Sequence, residues 1–309
     1  MIEIFESLLP VFLVIALGAG LRQSGFVPAD MWDGLERIAY WVLFPALLIE
    51  TLVNADLNAA PVTSVAIALF LSAATMCLIA WLAMPLFRRG LGLSATSYTS
   101  VFQASTRWNA FIALAVVARL FGEEGLTLVA VAMAVMMPFL NVVNVTVVAT
   151  YATEERMPPR ALLWAVARNP FVWSCLIGIA INLAGVPIYG PILTAADMLG
   201  RAALAGGLLL VGGGLILRDA LKPSPAVLAS AALKLIVMPL IVAVYALAFG
   251  LSGTALSTAL VCAAVPTAMS GYVLARQMGG DAPLLAAIAT VQTVAAAVTM
   301  PLVLALAGS

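Results

Sequence analysis

Long apolar segments recur along the whole chain, and short polar stretches separate them. A helix needs about 20 mainly apolar residues to cross the hydrocarbon core of a bilayer. The segments lack the short apolar and polar alternation that is typical of barrel strands. The pattern therefore predicts an all-α integral membrane protein with ten transmembrane helices, at residues 4–21, 35–54, 61–87, 97–120, 125–150, 162–184, 195–217, 226–249, 254–277 and 283–306.

Two blocks of the first half return in the second half at nearly the same spacing. The stretch LPVFLVIALGAGLRQSGFVP, from Leu9, is similar to NPFVWSCLIGIAINLAGVP, from Asn169. Likewise, ARLFGEEGLTLVAVA, from Ala118, runs parallel to RQMGGDAPLLAAIA, from Arg276. The spacing divides ten helices into five plus five, and because five is odd the second half enters from the opposite side of the membrane. We predict one transmembrane domain, residues 1–309, built from two inverted repeats at about 1–150 and 161–309.

Composition and charge narrow the possible functions. The 309 residues are 64% hydrophobic and 9% charged, whereas soluble domains are about 45–50% apolar and about 25% charged. Fourteen basic and fourteen acidic residues leave no net charge, which gives no indication of a nucleic-acid partner. Histidine is absent, so HExxH zinc sites and serine–histidine pairs are excluded. We therefore expect no enzyme, no metal site and no cofactor, and we interpret Cys77, Cys175 and Cys262 as packing residues.

Basic residues predict the orientation of the chain, because short cytoplasmic loops retain Lys and Arg. The opposite side carries only Arg119 and Arg201 near helix ends. Both termini are thus predicted outside the cytoplasm, in a bacterial-type cytoplasmic membrane, with an uncleaved first helix. The basic set on the cytoplasmic side is Arg22, Arg37, Arg88, Arg89, Arg156, Arg160, Arg168, Arg218, Lys222 and Arg276.

Two predicted helices are interrupted at equivalent points of the two halves. The fourth contains QASTRWNA and the ninth contains AAVPTAMSG, and the alignment of the halves places residues 107–109 against residues 265–267. Pro266 removes a backbone donor and frees carbonyl groups that neighbours or cargo must satisfy. Secondary transporters with inverted repeats hold substrate near the midplane at such broken helices. The two breaks predict a substrate site, although for Pro266 alone an ordinary kink is the alternative.

Arg107 is the most informative residue of the first break. It lies about ten residues into its helix, about 15 Å deep by helical rise. A central arginine costs about 2.5–3.5 kcal/mol on insertion scales, and such residues usually face a cavity or a pathway. Its planar guanidinium suits a carboxylate. The alternatives are an ion pair with Glu50 or contacts with backbone carbonyls, whereas Lys234, nearer a helix end, is expected to extend towards the headgroups.

Several neutral polar residues complete the candidate site. Asn109, Thr267 and Ser270 are expected to donate hydrogen bonds to the substrate, and Pro266 is expected to keep the helix broken. A second group lines the cavity or bonds between helices, and the sequence leaves both roles open. It consists of Trp108, Asn141, Asn144, Gln292, Thr293 and Glu50. The glycine-rich AGGLLLVGGG, residues 205–214, lacks the lysine of a nucleotide loop and predicts close helix packing.

The second break and its continuation, PTAMSGYVLARQMGGDAPLLAAIATVQT, resemble the auxin efflux carrier family. RWNAFIALA resembles the Arg-aromatic-Asn stretch of bacterial relatives, and the similarity extends over essentially the whole chain. The resemblance implies two inverted five-helix repeats, crossing broken helices four and nine, a scaffold domain, a mobile transport domain and a homodimer. It also implies that Asn109, Pro266 and Thr267 face the substrate. The first break has no proline and adds Arg107 and Trp108, so auxin itself is not implied as the substrate.

We therefore expect a secondary transporter that moves a small organic anion by elevator-type alternating access. The anion would be a mono- or dicarboxylate, auxin-like or malonate-like. An anion channel and a sodium-coupled symporter similar to the bile acid carriers are the alternatives. The sequence does not decide between Na⁺, H⁺ and no coupling ion.

Overall fold

The fold is taken from a computed structural model, which describes residues 2–57, 61–152, 160, 164, 167–216 and 223–307. Helices make up most of this part of the chain, and it contains no strand, so the predicted all-α class is confirmed. Parts of the predicted sixth helix, together with Arg156, Arg218 and Lys222, lie outside the described residues.

Where the connecting residues are described, the helices follow one another with short connections. A π-helical turn, Ala39–Leu43, joins α2 to α3, and a second one, Leu233–Val237, joins α9 to α10. The first half contains α1 (Ile2–Gln23), α2 (Ala29–Ile38), α3 (Phe44–Asn54), α4 (Val62–Gly90), α5 (Ala95–Thr106) and α6 (Ala110–Tyr151). The second half contains α7 (Pro170–Ala184), α8 (Gly190–Gly213), α9 (Pro225–Ala232), α10 (Met238–Ala248), α11 (Gly253–Ala264), α12 (Ser270–Gln277) and α13 (Ala282–Ala307).

Six helical segments of the described chain are long and apolar enough to cross a membrane. Two shorter apolar helices, α7 and α11, accompany them. These lengths make the chain an integral membrane protein, whereas the arrangement of ten spans in two inverted repeats stays a prediction. The six segments are Phe5–Gln23, Val62–Gly90, Ala95–Tyr151, Gly190–Gly213, Pro225–Ala248 and Ala282–Leu306.

Helix α6 changes direction at Gly122. The backbone there has φ 58° and ψ −141°, a left-handed conformation that glycine adopts without steric penalty. This position falls between the fourth and fifth predicted helices, so one glycine separates them. The start of α5 is set locally, because the Ser94 side chain accepts a hydrogen bond from the Ser97 backbone N–H at 2.9 Å.

The helices pack in two groups around α6. In the first group, α8 contacts α1 and α3, and α3 contacts α7. Helices α4, α5, α10, α11 and α13 form a second set of neighbours. Helix α6 packs against members of both groups, and α1 also touches α13. The second group holds the interrupted helices α5 and α11.

Glycines bring α1 and α8 into close contact. A Cβ atom at Gly18 would overlap the Leu209 backbone, and one at Gly212 would overlap the Ile15 carbonyl. The packing role predicted for the glycine-rich segment is therefore confirmed. Cys77, Cys175 and Cys262 are buried and free, as expected of packing residues.

Candidate functional site at two crossing helix breaks

Both sequence interruptions are real breaks in helical structure. Helix α5 ends at Thr106 and α6 begins at Ala110, while α11 ends at Ala264 and α12 begins at Ser270. Arg107 follows α5 with an extended backbone, φ −72° and ψ 156°, and Val265 follows α11 with φ −65° and ψ 147°. Four helix ends therefore meet where the sequence interrupts its apolar pattern, and their backbone groups need partners.

The two breaks are joined directly through their backbones. The Asn109 N–H donates a 2.8 Å hydrogen bond to the Pro266 carbonyl oxygen. The Asn109 side chain begins α6, because its Oδ1 accepts from the Ile112 N–H at 3.1 Å. Asn109 thus serves as a helix cap and as the link between the breaks, and it is almost fully buried. We call the two joined breaks, residues 107–109 and 265–269, the crossing.

Gln292 on α13 satisfies other backbone groups that the breaks release. Its Oε1 accepts from the Thr267 N–H at 2.9 Å. Its Nε2 donates to the Ala104 carbonyl at 3.2 Å and to the Ser230 carbonyl at 3.4 Å. In an unbroken helix the Ala104 carbonyl would accept from residue 108, which lies in the break. One fully buried amide therefore ties α5, α9 and the second break together.

Arg107 is buried and has no acidic partner in the described part of the chain. Its side chain is 9% exposed, and its Nη1 donates to Asn141 Oδ1 at 3.4 Å. Elsewhere in the described structure, exposed Arg201 forms an ion pair with Asp197 at 2.9 Å. Glu50 instead accepts from the Asn54 amide at 2.8 Å. Among the described residues, the alternative of an Arg107–Glu50 ion pair is therefore wrong.

Unpartnered polar atoms gather at the breaks. Few buried polar atoms in proteins lack a hydrogen-bond partner, and each exception calls for an explanation. Four residues at the breaks, or within one helical turn of them, have such atoms in the described structure. The atoms are Gln103 Nε2 and Oε1, Arg107 Nε, Trp108 Nε1 and Thr267 Oγ1. This set of mostly donor groups indicates a place for a polar ligand.

Gly271 lies directly beside two side chains of this set. A Cβ atom there would lie 3.4 Å from Arg107 Cδ and 3.5 Å from Gln103 Oε1. The α12 backbone therefore passes directly against the arginine stem and the glutamine amide. The tightest contact of such a Cβ would be with Leu285 Cδ1, at 3.1 Å.

The remaining predicted residues occupy different surroundings. Asn144 Oδ1 accepts from Thr106 Oγ1 at 3.1 Å, which links α6 to the end of α5. Within the described structure, the Thr293 hydroxyl donates to the Ala289 carbonyl of its own helix at 2.8 Å. Ser270 is exposed at the start of α12, outside the buried crossing. The predicted residues thus divide into those at the breaks, those that connect helices, and Ser270.

Two residues extend or correct the predicted site. Gln103 was not predicted, although it precedes Arg107 by one helical turn in an apolar segment and so shares its face. Lys234 was predicted to extend towards the headgroups, and this is wrong. Its side chain is fully buried inside the protein, and Nζ has no hydrogen-bond partner among the described residues.

Sequence comparisons relate the chain to membrane transport proteins. A family model described as membrane transport protein matches residues 3–161 and again residues 153–304. The chain is also similar to an uncharacterized transporter of Methanothermobacter thermautotrophicus. The two are 26% identical over 313 aligned residues, which cover 96% of each chain. Nearly the full length of the chain is thus shared with transporters.

Proposed function

The chain belongs to the membrane transport protein family of the auxin efflux carriers, and from this premise we propose that it is a secondary transporter of small organic anions. It is a transporter and not an enzyme. The proposed cargo is a mono- or dicarboxylate of auxin-like or malonate-like chemistry. The proposed location is the cytoplasmic membrane, with both termini outside.

The buried guanidinium of Arg107, which has no acidic partner among the described residues, carries this proposal. Removing one partner from a buried ion pair costs about 3–5 kcal/mol, so a buried cation without a counter-charge favours an incoming anion. A carboxylate could accept two parallel hydrogen bonds from the fork of Arg107. At the same breaks, Trp108 Nε1 and Thr267 Oγ1 have no hydrogen-bond partner among the described residues. These groups together match a carboxylate better than a cation or a neutral apolar solute.

Alternating access is the mechanism we infer for this site. Both breaks belong to the group formed by α4, α5, α10, α11 and α13, and α6 joins this group to α1, α3, α7 and α8. Movement of the group that holds the breaks against α1, α3, α7 and α8 would open the substrate site first to one side of the membrane and then to the other. The equivalent positions of the two breaks in the aligned halves support two inverted repeats, which would form similar pathways on both sides.

Ligand-induced stabilisation tests the proposal. A ligand that binds only the folded state raises the midpoint of thermal unfolding by mass action. We expect acetate, malonate, succinate or indole-3-acetate to stabilise the detergent-purified protein, and the best ligand to show saturable counterflow in proteoliposomes. No stabilisation by any of them, with or without sodium, would contradict the anion site. Flux that does not saturate and gives no counterflow would identify a channel.

Arg107 variants show whether the stabilisation arises at the crossing. Arg107→Ala should raise the Kd of the best ligand by about tenfold to a hundredfold, because hydrogen bonds to charged groups contribute about 1.5–3 kcal/mol. Arg107→Lys should recover little, since an ammonium lacks the planar fork. Arg201→Ala is the matched control, because Arg201 is exposed and paired with Asp197. Equal loss in Arg107→Ala and Arg201→Ala would contradict the assignment.

A further inference from the structure

A second buried cation lies in the bundle, at the π-helical turn Leu233–Val237. Lys234 is fully buried, and its Nζ has no hydrogen-bond partner in the described structure. The side chain therefore reaches neither water nor the headgroup region. A buried ammonium without a partner is costly, and intramembrane ionisable residues usually serve transport.

The helices packed against this turn offer no counter-charge. The turn contacts α5, α9, α10, α11 and α13, whose sequences contain no Asp, Glu or Arg. Their titratable side chains are Tyr98, Tyr245 and Cys262. The Tyr98 hydroxyl donates a hydrogen bond to the Ala80 carbonyl, and the Tyr245 hydroxyl forms a hydrogen bond with Thr75 Oγ1 at 3.0 Å. Cys262 on α11 is thus the remaining titratable side chain on these helices.

A hydrogen-bonded link connects this turn to the crossing. Ser230 precedes Lys234 by one helical turn, and its carbonyl accepts from Gln292 Nε2 at 3.4 Å. The same glutamine binds the Thr267 N–H and the Ala104 carbonyl. One glutamine therefore contacts both breaks and the helix that carries Lys234.

We propose that Lys234 is the proton-binding group that couples anion movement to a proton, an inference that rests on the proposed function. While the site is open to one side, the Nζ lone pair takes a proton from a hydronium ion, so that one N–H bond forms, one O–H bond breaks and water is left. That bond breaks when the site opens to the other side, and the proton returns to water. Lysine can lose its proton when buried whereas arginine stays charged, so Arg107 holds the anion and Lys234 carries the exchangeable charge. The protonated lysine offsets negative charge that the anion brings into the bundle.

Proteoliposomes containing trapped pyranine and supplied with malonate provide the test. Equal potassium on both sides with valinomycin clamps the membrane potential, so that only the malonate and proton gradients act. If one proton moves with each malonate, an exterior more acidic than the lumen should drive malonate inward. At equilibrium the internal malonate concentration should exceed the external one about tenfold per pH unit, because a tenfold concentration gradient and a gradient of one pH unit each amount to about 1.4 kcal/mol. Malonate added without a pH gradient should acidify the lumen.

Two Lys234 variants and one neighbour variant give the assignment its controls. Lys234→Met removes the proton site with little change in volume, and Lys234→Arg keeps a charge that cannot be released. Both should exchange labelled malonate in counterflow, but neither should acidify the lumen or accumulate malonate with the pH gradient. Cys262→Ala removes the neighbouring thiol and should behave like the wild type.

The outcomes separate the two proposals. If the wild type neither binds nor exchanges any of the carboxylates, the proposed function fails and the role of Lys234 fails with it. If the wild type exchanges malonate without moving protons, only the role of Lys234 is overturned, whatever the variants do. Acidification that persists in Lys234→Met also overturns it, because the proton would then travel on the substrate or on another residue.

Discussion

Asn109 and Pro266 are joined across two broken helices by a 2.8 Å hydrogen bond from the N–H of one to the carbonyl of the other. The first break supplies the donor and the second supplies the acceptor. In an unbroken helix the Pro266 carbonyl would accept from residue 270, which instead starts α12. Each break therefore satisfies a group that the other exposes.

Gln292→Met should destabilise the protein and weaken carboxylate binding. The substitution keeps the volume but leaves the Thr267 N–H and the Ala104 and Ser230 carbonyls without this partner. Leaving buried polar groups unsatisfied costs about 1–3 kcal/mol each. The measurement is the midpoint of thermal unfolding, with and without malonate.

Thr293→Val is the matched control for Gln292, since it lies next to it on α13. The Thr293 hydroxyl donates only to the Ala289 carbonyl of its own helix, and α13 can keep its backbone bonds without it. The midpoint of Thr293→Val should stay near that of the wild type. A decrease as large as that of Gln292→Met would mean that any change in this turn of α13 is destabilising.

Thr267→Val should weaken carboxylate binding while leaving stability intact or improved. The Thr267 Oγ1 is buried and unpartnered in the described structure, so its removal eliminates an unsatisfied group in the empty protein. The bound state loses one hydrogen bond worth about 0.5–1.5 kcal/mol, which corresponds to a rise in Kd of about two- to tenfold. Thermal unfolding and ligand titration on one sample measure both effects.

Thr258→Val separates binding from simple removal of a hydroxyl. Thr258 on α11 also has a buried Oγ1 without a partner among the described residues, but it lies well before the break. Like Thr267→Val, Thr258→Val should leave the stability unchanged or improved, but its Kd for carboxylates should equal that of the wild type. A weaker Kd in both variants would argue that the bundle, and not the crossing, sets the affinity.

Gly271→Ala should restrict the space beside the stem of Arg107. The added Cβ would lie 3.1 Å from Leu285 Cδ1, which must shift slightly, and in van der Waals contact with Arg107 Cδ at 3.4 Å. Because bidentate recognition depends on the orientation of the guanidinium, the affinity for carboxylates should fall several-fold. Isothermal titration with malonate measures the change.

Gly206→Ala is the control for an added methyl group in a helix. Position 206 on α8 has open space around the corresponding Cβ, so nothing must move. Helix propensity then favours alanine by up to about 1 kcal/mol, and carboxylate affinity should be unchanged. Loss of affinity in Gly206→Ala would contradict the local explanation for Gly271.

The sequence by itself determined where the helices break. A proline without a donor at position 266 and an arginine inside an apolar segment at position 107 are local features, and the structure interrupts its helices at both. Gly122 separates two predicted helices for an equally local reason, because its backbone conformation is one that glycine adopts without penalty. The all-α class follows from segment length alone.

Only the tertiary structure decided which polar groups meet. In a membrane protein both the lipid-facing and the buried faces of a helix are apolar, so hydrophobic periodicity does not show which side faces the protein. The sequence therefore could not show that Lys234 is buried and that Ser270 is exposed. The bonds of Gln292 to Thr267 and Ala104 join residues far apart in the chain, and only the packing of α5, α11 and α13 brings them within reach.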